Sequence, residues 1–321
     1  MAHFQAVDPN LLFSRQDPAD PRWGERVLTA RPAHSGSLVQ LFGWPDDEGI
    51  RLNGGRPGAA QAPDRIRRFL YRMTPAVDVD TAPPALWDRG NLLTAPADLA
   101  ERHRRAREAA HEAHARGDRT LSFGGGHDYG FPDSAAFLQA YAREGRRPVV
   151  VNFDAHLDVR PADHGFHSGT PFRRLIEEFH GRFDFLEIGL QPQCNSREHW
   201  AWARSRGAEL WGSFETPDSA GLLTRLDSWA AARRGQELFI SLDIDALNSE
   251  AAPGCSQSWA WGLSPVSVTQ ALRRLYQLFD VRGLGLYEVS PPLDQDDRTS
   301  KLAALFAHDF LSRGSSKETP R

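Results

Sequence analysis

The chain has 321 residues, 40% of them hydrophobic, enough for one large α/β domain or two small ones with a sizeable buried core. Lysine and arginine number 38 against 42 aspartates and glutamates, so a net charge of −4 provides no global basic field for nucleic acid or an anionic membrane. The two cysteines, Cys194 and Cys255, lie far apart and form neither a disulfide framework nor a CxxC metal site.

Taken in chain order, residues 1–35 are polar and proline-interrupted and read as an N-terminal arm, loosely packed. They contain no basic segment followed by an apolar stretch, and no later window approaches the length of a membrane-spanning helix, so a soluble cytoplasmic protein is expected. Residues 38–42 read as a strand, and 63–73 and 96–116 as helices, the second carrying Arg102, Arg104, Arg105 and Arg107 on a solvated face. A strand at 120–123 runs into three glycines followed by His127 and Asp128. After a helix at 134–144, a strand at 148–153 runs into Asp154, His156, Asp158 and Arg160. Helices at 172–179, 196–206 and 221–234 then alternate with strands at 185–188, 209–211 and 238–242, the last closing on Asp243 and Asp245. A helix at 264–279, a strand at 283–288 ending on Glu288, a helix at 298–311 and a polar tail at 313–321 complete the chain. Buried strands alternating with helices imply a mostly parallel sheet covered on both faces. With no linker, repeat or low-complexity tract in the middle, residues 36–312 are expected to form one α/β domain.

Functional groups in open α/β sheets gather just past the carboxyl ends of strands, and here four such ends carry chemistry. Asp154, His156 and Asp158 alternate at i, i+2 and i+4; if that stretch stays extended, all three point to one face. Asp243 and Asp245 have the same spacing, and the glycines before His127 permit a sharp turn that brings its imidazole close. Each cluster alone has a bland reading as a surface turn, an acidic strand end or a glycine turn. Together they make four carboxylates and two imidazoles, whose mutual repulsion calls for two divalent cations. Oxygen and imidazole donors without thiolate suit Mn2+ or a similarly hard ion. Rival chemistries lack their motifs: the sequence has no GxSxG elbow, no GxxxxGK[ST] loop and no HExxH pair.

The order GGGH, DAHLD, SLDID and then a strand-end glutamate resembles the ureohydrolase superfamily of arginases, agmatinases and formimidoylglutamases, over roughly residues 37–310. The resemblance implies a single three-layer α/β/α, arginase-like domain, two Mn2+ per chain, hydrolysis of an amidine or guanidine C–N bond, and homo-oligomers. By position, one Mn2+ would be held by His127, Asp154, Asp158 and Asp243, the other by Asp154, His156, Asp243 and Asp245. Glu288 would grip the amidinium end of the substrate, and Asp245 would carry a proton. Arginases and agmatinases read GGDH and place a histidine in an HGxP segment. This chain has Gly126 before His127, and Ser168 in that histidine's place with His167 one residue earlier. The SGTPF segment resembles formimidoylglutamases, as do residues 55–68, Asp158-Val-Arg160 and the PGCSQ run at 253–257. One departure is Asn248, where many ureohydrolases have a further aspartate.

The implied substrate is N-formimidoyl-L-glutamate, an acidic amino acid derivative, cleaved to L-glutamate and formamide in histidine degradation. Arg160 would anchor a substrate carboxylate and disfavour cationic arginine or agmatine; the alternative is an ion pair with Asp158 or Asp163. Ser168 would join the substrate contacts. Arg173 and Arg174 read as solvent-facing, and Trp259 and Trp261 either as a lid or as core. The competing activity is that of another ureohydrolase, releasing urea from agmatine, guanidinobutyrate or a related guanidino acid. A binding protein that keeps the metals without turnover is a third reading, against which the complete ligand set argues.

Overall fold

A computed structural model describes residues 3–33, 37–76, 82–215 and 219–313. The chain opens with β1 (Phe4–Gln5), α1 (Trp23–Arg26), β2 (Val27–Leu28), β3 (Leu38–Gly43), α2 (Glu48–Leu52), α3 (Ala62–Leu70), β4 (Ala85–Leu92), α4 (Leu99–Ala115) and β5 (Arg119–Phe123). It continues through α5 (Gly130–Tyr141), β6 (Val149–Phe153), α6 (Pro171–Glu178), β7 (Asp184–Leu190), α7 (Arg197–Ser205), β8 (Glu209–Gly212) and α8 (Ser219–Ala230). It closes with β9 (Glu237–Asp243), α9 (Pro265–Leu278), β10 (Asp280–Tyr287) and α10 (Arg298–Arg313).

Among the described residues these strands form one sheet in the order β1-β4-β3-β5-β10-β9-β6-β7-β8, with β2 also pairing β4. Only β1 runs antiparallel. The layering follows from strand alternation. Val149, Val151 and Phe153 of β6 and Leu238, Ile240 and Leu242 of β9 pack with α3, α8, α9 and α10 on one face. Val150 and Phe239, pointing the other way, pack with α5, α6 and α7. Burial on both faces is why these strands read as near-continuous apolar runs. Helix starts follow local chemistry: Asp98 caps α4 by accepting from the Glu101 amide at 2.8 Å, and Ser264 caps α9 ahead of Pro265.

The sheet departs from sequence expectation at its β4 edge. No strand was expected over residues 85–92, because the run Trp87-Asp88-Arg89-Gly90-Asn91 is too polar to resemble a buried strand. Its polar groups are buried with partners instead. Arg67 of α3, fully buried, donates from Nε to Asp88 Oδ2 at 2.8 Å and from Nη2 to Asp88 Oδ1 at 2.9 Å. It also donates to Asn91 Oδ1 at 2.6 Å, and the Tyr71 hydroxyl closes on Asp88 as well. The N-terminal arm packs more closely than its composition implies, since β1 and β2 extend the β4 edge and Trp23 is fully buried. Of the polar tail, Arg313 ends α10 and the rest lies outside the described residues.

Removing one partner of a buried ion pair leaves the other charge uncompensated. Asp88→Ala is therefore expected to destabilise the chain by about 3–5 kcal/mol, read as a lower midpoint in urea unfolding; an unchanged midpoint would show that the Arg67 charge finds another partner.

Candidate metal centre

The chemistry-bearing strand ends belong to neighbours in the sheet, β5, β10, β9 and β6 in that order. His127 follows β5, Glu288 follows β10, Asp243 ends β9 and Asp154 follows β6. Each side chain is aimed by a local device, and two of these differ from expectation. The stretch from Asp154 to Asp158 is not extended: β6 stops at Phe153, and Asp154 Oδ1 accepts from the His156 amide at 2.7 Å in an Asx-type turn. Asp243 Oδ1 likewise accepts from the Asp245 amide at 2.9 Å, opening a short 3-10 turn. Asp158 sits in left-handed backbone at φ 49°, with its carbonyl held by the Phe172 amide at 3.1 Å. Convergence therefore comes from turns rather than from a strand face.

The strand expected to end on Glu288 stops at Tyr287, and Glu288 itself adopts φ 63°. Its amide donates to the Gly125 carbonyl at 2.9 Å, and its Oε1 accepts from the His127 amide at 3.0 Å. Gly125 is needed for space: a Cβ there would lie 1.7 Å from the Asp46 carbonyl oxygen.

Two clusters result. Ligand-capable atoms of His127, Asp154, Asp158 and Asp243 lie within 4.8 Å of one another, as do those of Asp154, His156 and Asp245. All six predicted residues are thus brought together. Asp154 belongs to both clusters; Asp243, expected to bridge as well, groups with the first alone. In the first, His127 Nδ1 faces Asp154 Oδ2 and Asp158 Oδ2 at 3.0 Å and Asp243 Oδ2 at 3.2 Å. That nitrogen is buried without a hydrogen bond of good geometry, while Nε2 is held by the Ser241 hydroxyl at 2.9 Å. Lone pairs from four donors converging on a point, with the outer imidazole nitrogen tethered, fit a hard divalent cation. In the second, His156 Nδ1 lies 3.1 Å from Asp245 Oδ2 and 3.4 Å from Asp154 Oδ1.

The electrostatics report the same crowding. Burial and the Asp154 charge push the Asp158 carboxyl up to about 6, and burial with the Asp245 and Asp154 charges raises Asp243 well above its usual range. Burial raises Asp154 too, but hydrogen bonds from His127 and His156 outweigh it and hold that carboxyl low. Burial lowers both imidazoles, but facing carboxylates drive each well above the ordinary histidine value. Burial lifts Glu288 to about 8.

Both clusters sit on the floor of a cavity of about 870 Å3. Its wall presents Arg160, Ser168, His167, His199, Asn53 and Trp259. Arg160 is exposed and forms no ion pair among the described residues, so neither Asp158 nor Asp163 neutralises it. Ser168 accepts from the Asn53 side chain at 3.0 Å. Arg174 is not solvent-facing: it lies between the Phe131 and Phe166 rings, 3.7 and 3.5 Å from their centroids, beside His103. Neither tryptophan is core; Trp259 lines the cavity and Trp261 stacks on Phe214 at 4.9 Å. Ser241, Asn152, Glu187 and His199 were not foreseen. Ser241 and Asn152 carried a sequence signal, each lying two residues before an aspartate of the clusters, Asp243 and Asp154.

The chain matches the model of the arginase family over residues 38–312. It is similar to the formimidoylglutamase of Aeromonas hydrophila, at 30% identity over 97% of this chain and 100% of that protein. Among solved structures it is similar to Trypanosoma cruzi formiminoglutamase with two Mn2+ ions, at 29% identity and a TM-score of 0.79, covering 92% of this chain and 98% of that one. It is also similar to proclavaminate amidino hydrolase from Streptomyces clavuligerus, at 26% identity and a TM-score of 0.74 over 88% and 94% of the two chains.

Because carboxylate ligands must be ionised, cation binding here competes with protons. With Asp158 pushed up to about 6, Mn2+ affinity is expected to fall as pH drops from 7.5 through 6, above the range of an ordinary aspartate. Calorimetric titration of the metal-free chain would read this as proton release, and a flat affinity across that range would contradict it.

Proposed function

The chain belongs to the arginase family, and from that membership we propose that it is a binuclear manganese hydrolase of an amidine C–N bond, converting N-formimidoyl-L-glutamate to L-glutamate and formamide. The observation that carries this reading is the pair of imidazole–carboxylate clusters sharing Asp154, set below Arg160, which forms no ion pair among the described residues, on the wall of the same cavity. One ion would be held by His127, Asp154, Asp158 and Asp243, and the other by Asp154, His156 and Asp245. When bound, two such ions supply Lewis-acid polarisation and bring the pKa of water toward neutrality.

The protein's own groups do the rest. Glu288 Oε1 is tied to the His127 amide, which fixes the carboxylate at the cavity floor. There it accepts from the planar, two-donor amidinium, and that positive charge favours its ionised form against the burial that raises its pKa. Arg160 binds a glutamate carboxylate at the far end, with Ser168 beside it, and the two anchors hold the formimidoyl carbon over the metal floor. One water is consumed: its oxygen ends on the formimidoyl carbon, the bond to the glutamate nitrogen breaks, and Asp245 carries the released proton to that nitrogen. Residues 36–312 constitute the catalytic domain, with 1–35 an arm and 313–321 a tail; the enzyme is cytoplasmic and assembles as a homo-oligomer.

Mn2+-loaded protein is expected to release formamide from N-formimidoyl-L-glutamate and no urea from agmatine or guanidinobutyrate; urea without formamide would overturn the substrate assignment. Arg160→Ala is expected to raise KM by about 10–100-fold, the equivalent of one charge-assisted contact, at unchanged manganese content. An unchanged KM would remove Arg160 from the substrate site.

A further inference from the structure

Glu187 of β7 stands beside Asn152 of β6 as its register partner, and both are fully buried. The reaction above uses neither. The Asn152 amide nitrogen donates to Glu187 Oε2 at 2.9 Å and to Asp154 Oδ2 at 3.3 Å, while its Oδ1 and Glu187 Oε1 have no partner. With nothing holding the amide oxygen, the orientation of Asn152 rests on the two carboxylates. Turned over, it would set its oxygen against both of them. The bond to Glu187 is the shorter, so Glu187 fixes the amide and the amide then meets Asp154.

The Asp154 oxygen so addressed matters. Oδ2 faces the His127 cluster at 3.0 Å, whereas Oδ1 is held by the His156 amide and faces the second cluster. The two ends of one shared carboxylate therefore have different keepers. A purely packing role explains Glu187 poorly, because burying a carboxyl with one unpaired oxygen costs stability that an apolar side chain of similar size would not.

We propose that Glu187 is a positioning residue which, through the Asn152 amide, orients the Asp154 oxygen facing His127 and so sets how tightly the cation at that cluster is held relative to its neighbour. This rests on the reading of Asp154 as a shared metal ligand. Partners behind a ligand are worth 10–100-fold in metal affinity, which sets the scale of the effect.

The test is Mn2+ titration of the metal-free full-length chain by calorimetry, with electron paramagnetic resonance following the spin-coupled pair. Glu187→Met is expected to weaken one of the two binding steps by about 10–100-fold and leave the other unchanged, with the metal-free Tm equal to or above that of the parent. Glu187→Gln, whose amide oxygen still accepts from Asn152, is expected to recover most of the lost affinity. On an Asn152→Leu background, Glu187→Met should add no further loss, since Glu187 acts only through that amide. Should Glu187→Met not fold, Asn152→Leu alone tests the same link and should weaken the same step. Parental affinity at both steps in Glu187→Met, or equal weakening of both alongside a lowered Tm, would overturn the proposal. A parent chain that binds no Mn2+ would overturn the metal assignment instead.

Discussion

Four aspartate carboxylates gathered around two imidazoles in a buried cradle set the terms for the rest of the molecule. Two like charges 4 Å apart repel by about 4 kcal/mol at an effective dielectric constant near 20, and several such pairs meet here. A whole domain is stable by only about 5–15 kcal/mol. No arrangement of hydrogen bonds from the chain offsets that much repulsion, so the donor set implies positive charge brought from outside. The chain's own response shows the same imbalance: both imidazoles are driven strongly toward protonation, and Asp243 and Asp158 are driven toward neutrality. Doubly charged cations reverse every one of these tendencies at once.

Holding such a cradle requires backbone that does not yield, and the sheet provides it. In the chain, β5 and β6 are consecutive, yet in space β10 and β9 separate them. The gap is filled only when the C-terminal third of the chain arrives. No cluster is complete until then, because His127, Asp154 and Asp243 come from three different strand ends. Local strain is present at the same place: Asp158 and Glu288, two of the five non-glycine residues with left-handed backbone among the described residues, each bear a cost on the order of 1–3 kcal/mol. Each is fixed by a hydrogen bond from a neighbouring element, the Phe172 amide to the Asp158 carbonyl and the Glu288 amide to the Gly125 carbonyl. Rigid neighbours pin the carboxylates where solvation alone would not leave them.

The alternation of helices and strands, the parallel sheet and the gathering of the six histidines and aspartates were legible because each has a local cause. Runs such as Val149 to Phe153 are apolar because both faces of β6 are covered, and aspartates follow them because strand ends open onto the crevice. What was not legible depends on distant partners. The strand β4 looks too polar until Arg67 and Tyr71 are placed against Asp88. Extended spacing expected Asp154, His156 and Asp158 on one face, whereas an Asx-type turn at Asp154 and left-handed backbone at Asp158 carry them, with His156 and Asp158 in different clusters that share Asp154. Glu187 sits in a strand with nothing in its sequence surroundings to mark it, and its relation to Asp154, through Asn152, exists only across the β6–β7 pair. Arg174 read as a surface residue because the rings that sandwich it belong to α5 and to the loop before α6.

The two halves of the site are built to different standards, and that difference separates chemistry from choice of substrate. The floor is largely buried, its donors set at strand ends or in the turns that follow them. Much of the wall is carried by residues 159–170, a loop whose Arg160 is exposed, with Asn53, His199 and Trp259 joining it from elsewhere. Contacts that tie that loop include the Arg160 amide to the Gly169 carbonyl, the Ser168 amide to the Gly49 carbonyl, the Asn53 side chain to the Ser168 hydroxyl, and Phe166 over Arg174. Loops tolerate change far better than packed strand ends do. A metal floor of this kind can therefore persist while the wall is rebuilt for another amidine or guanidine, as family members with different substrates require. In this chain the wall carries the Arg160 guanidinium, which forms no ion pair among the described residues, beside His167 and His199, whose imidazoles burial and the Arg160 charge hold below the ordinary histidine value. On the proposed reading, the choice of substrate rests on a few exposed side chains and the reaction type on the buried ones.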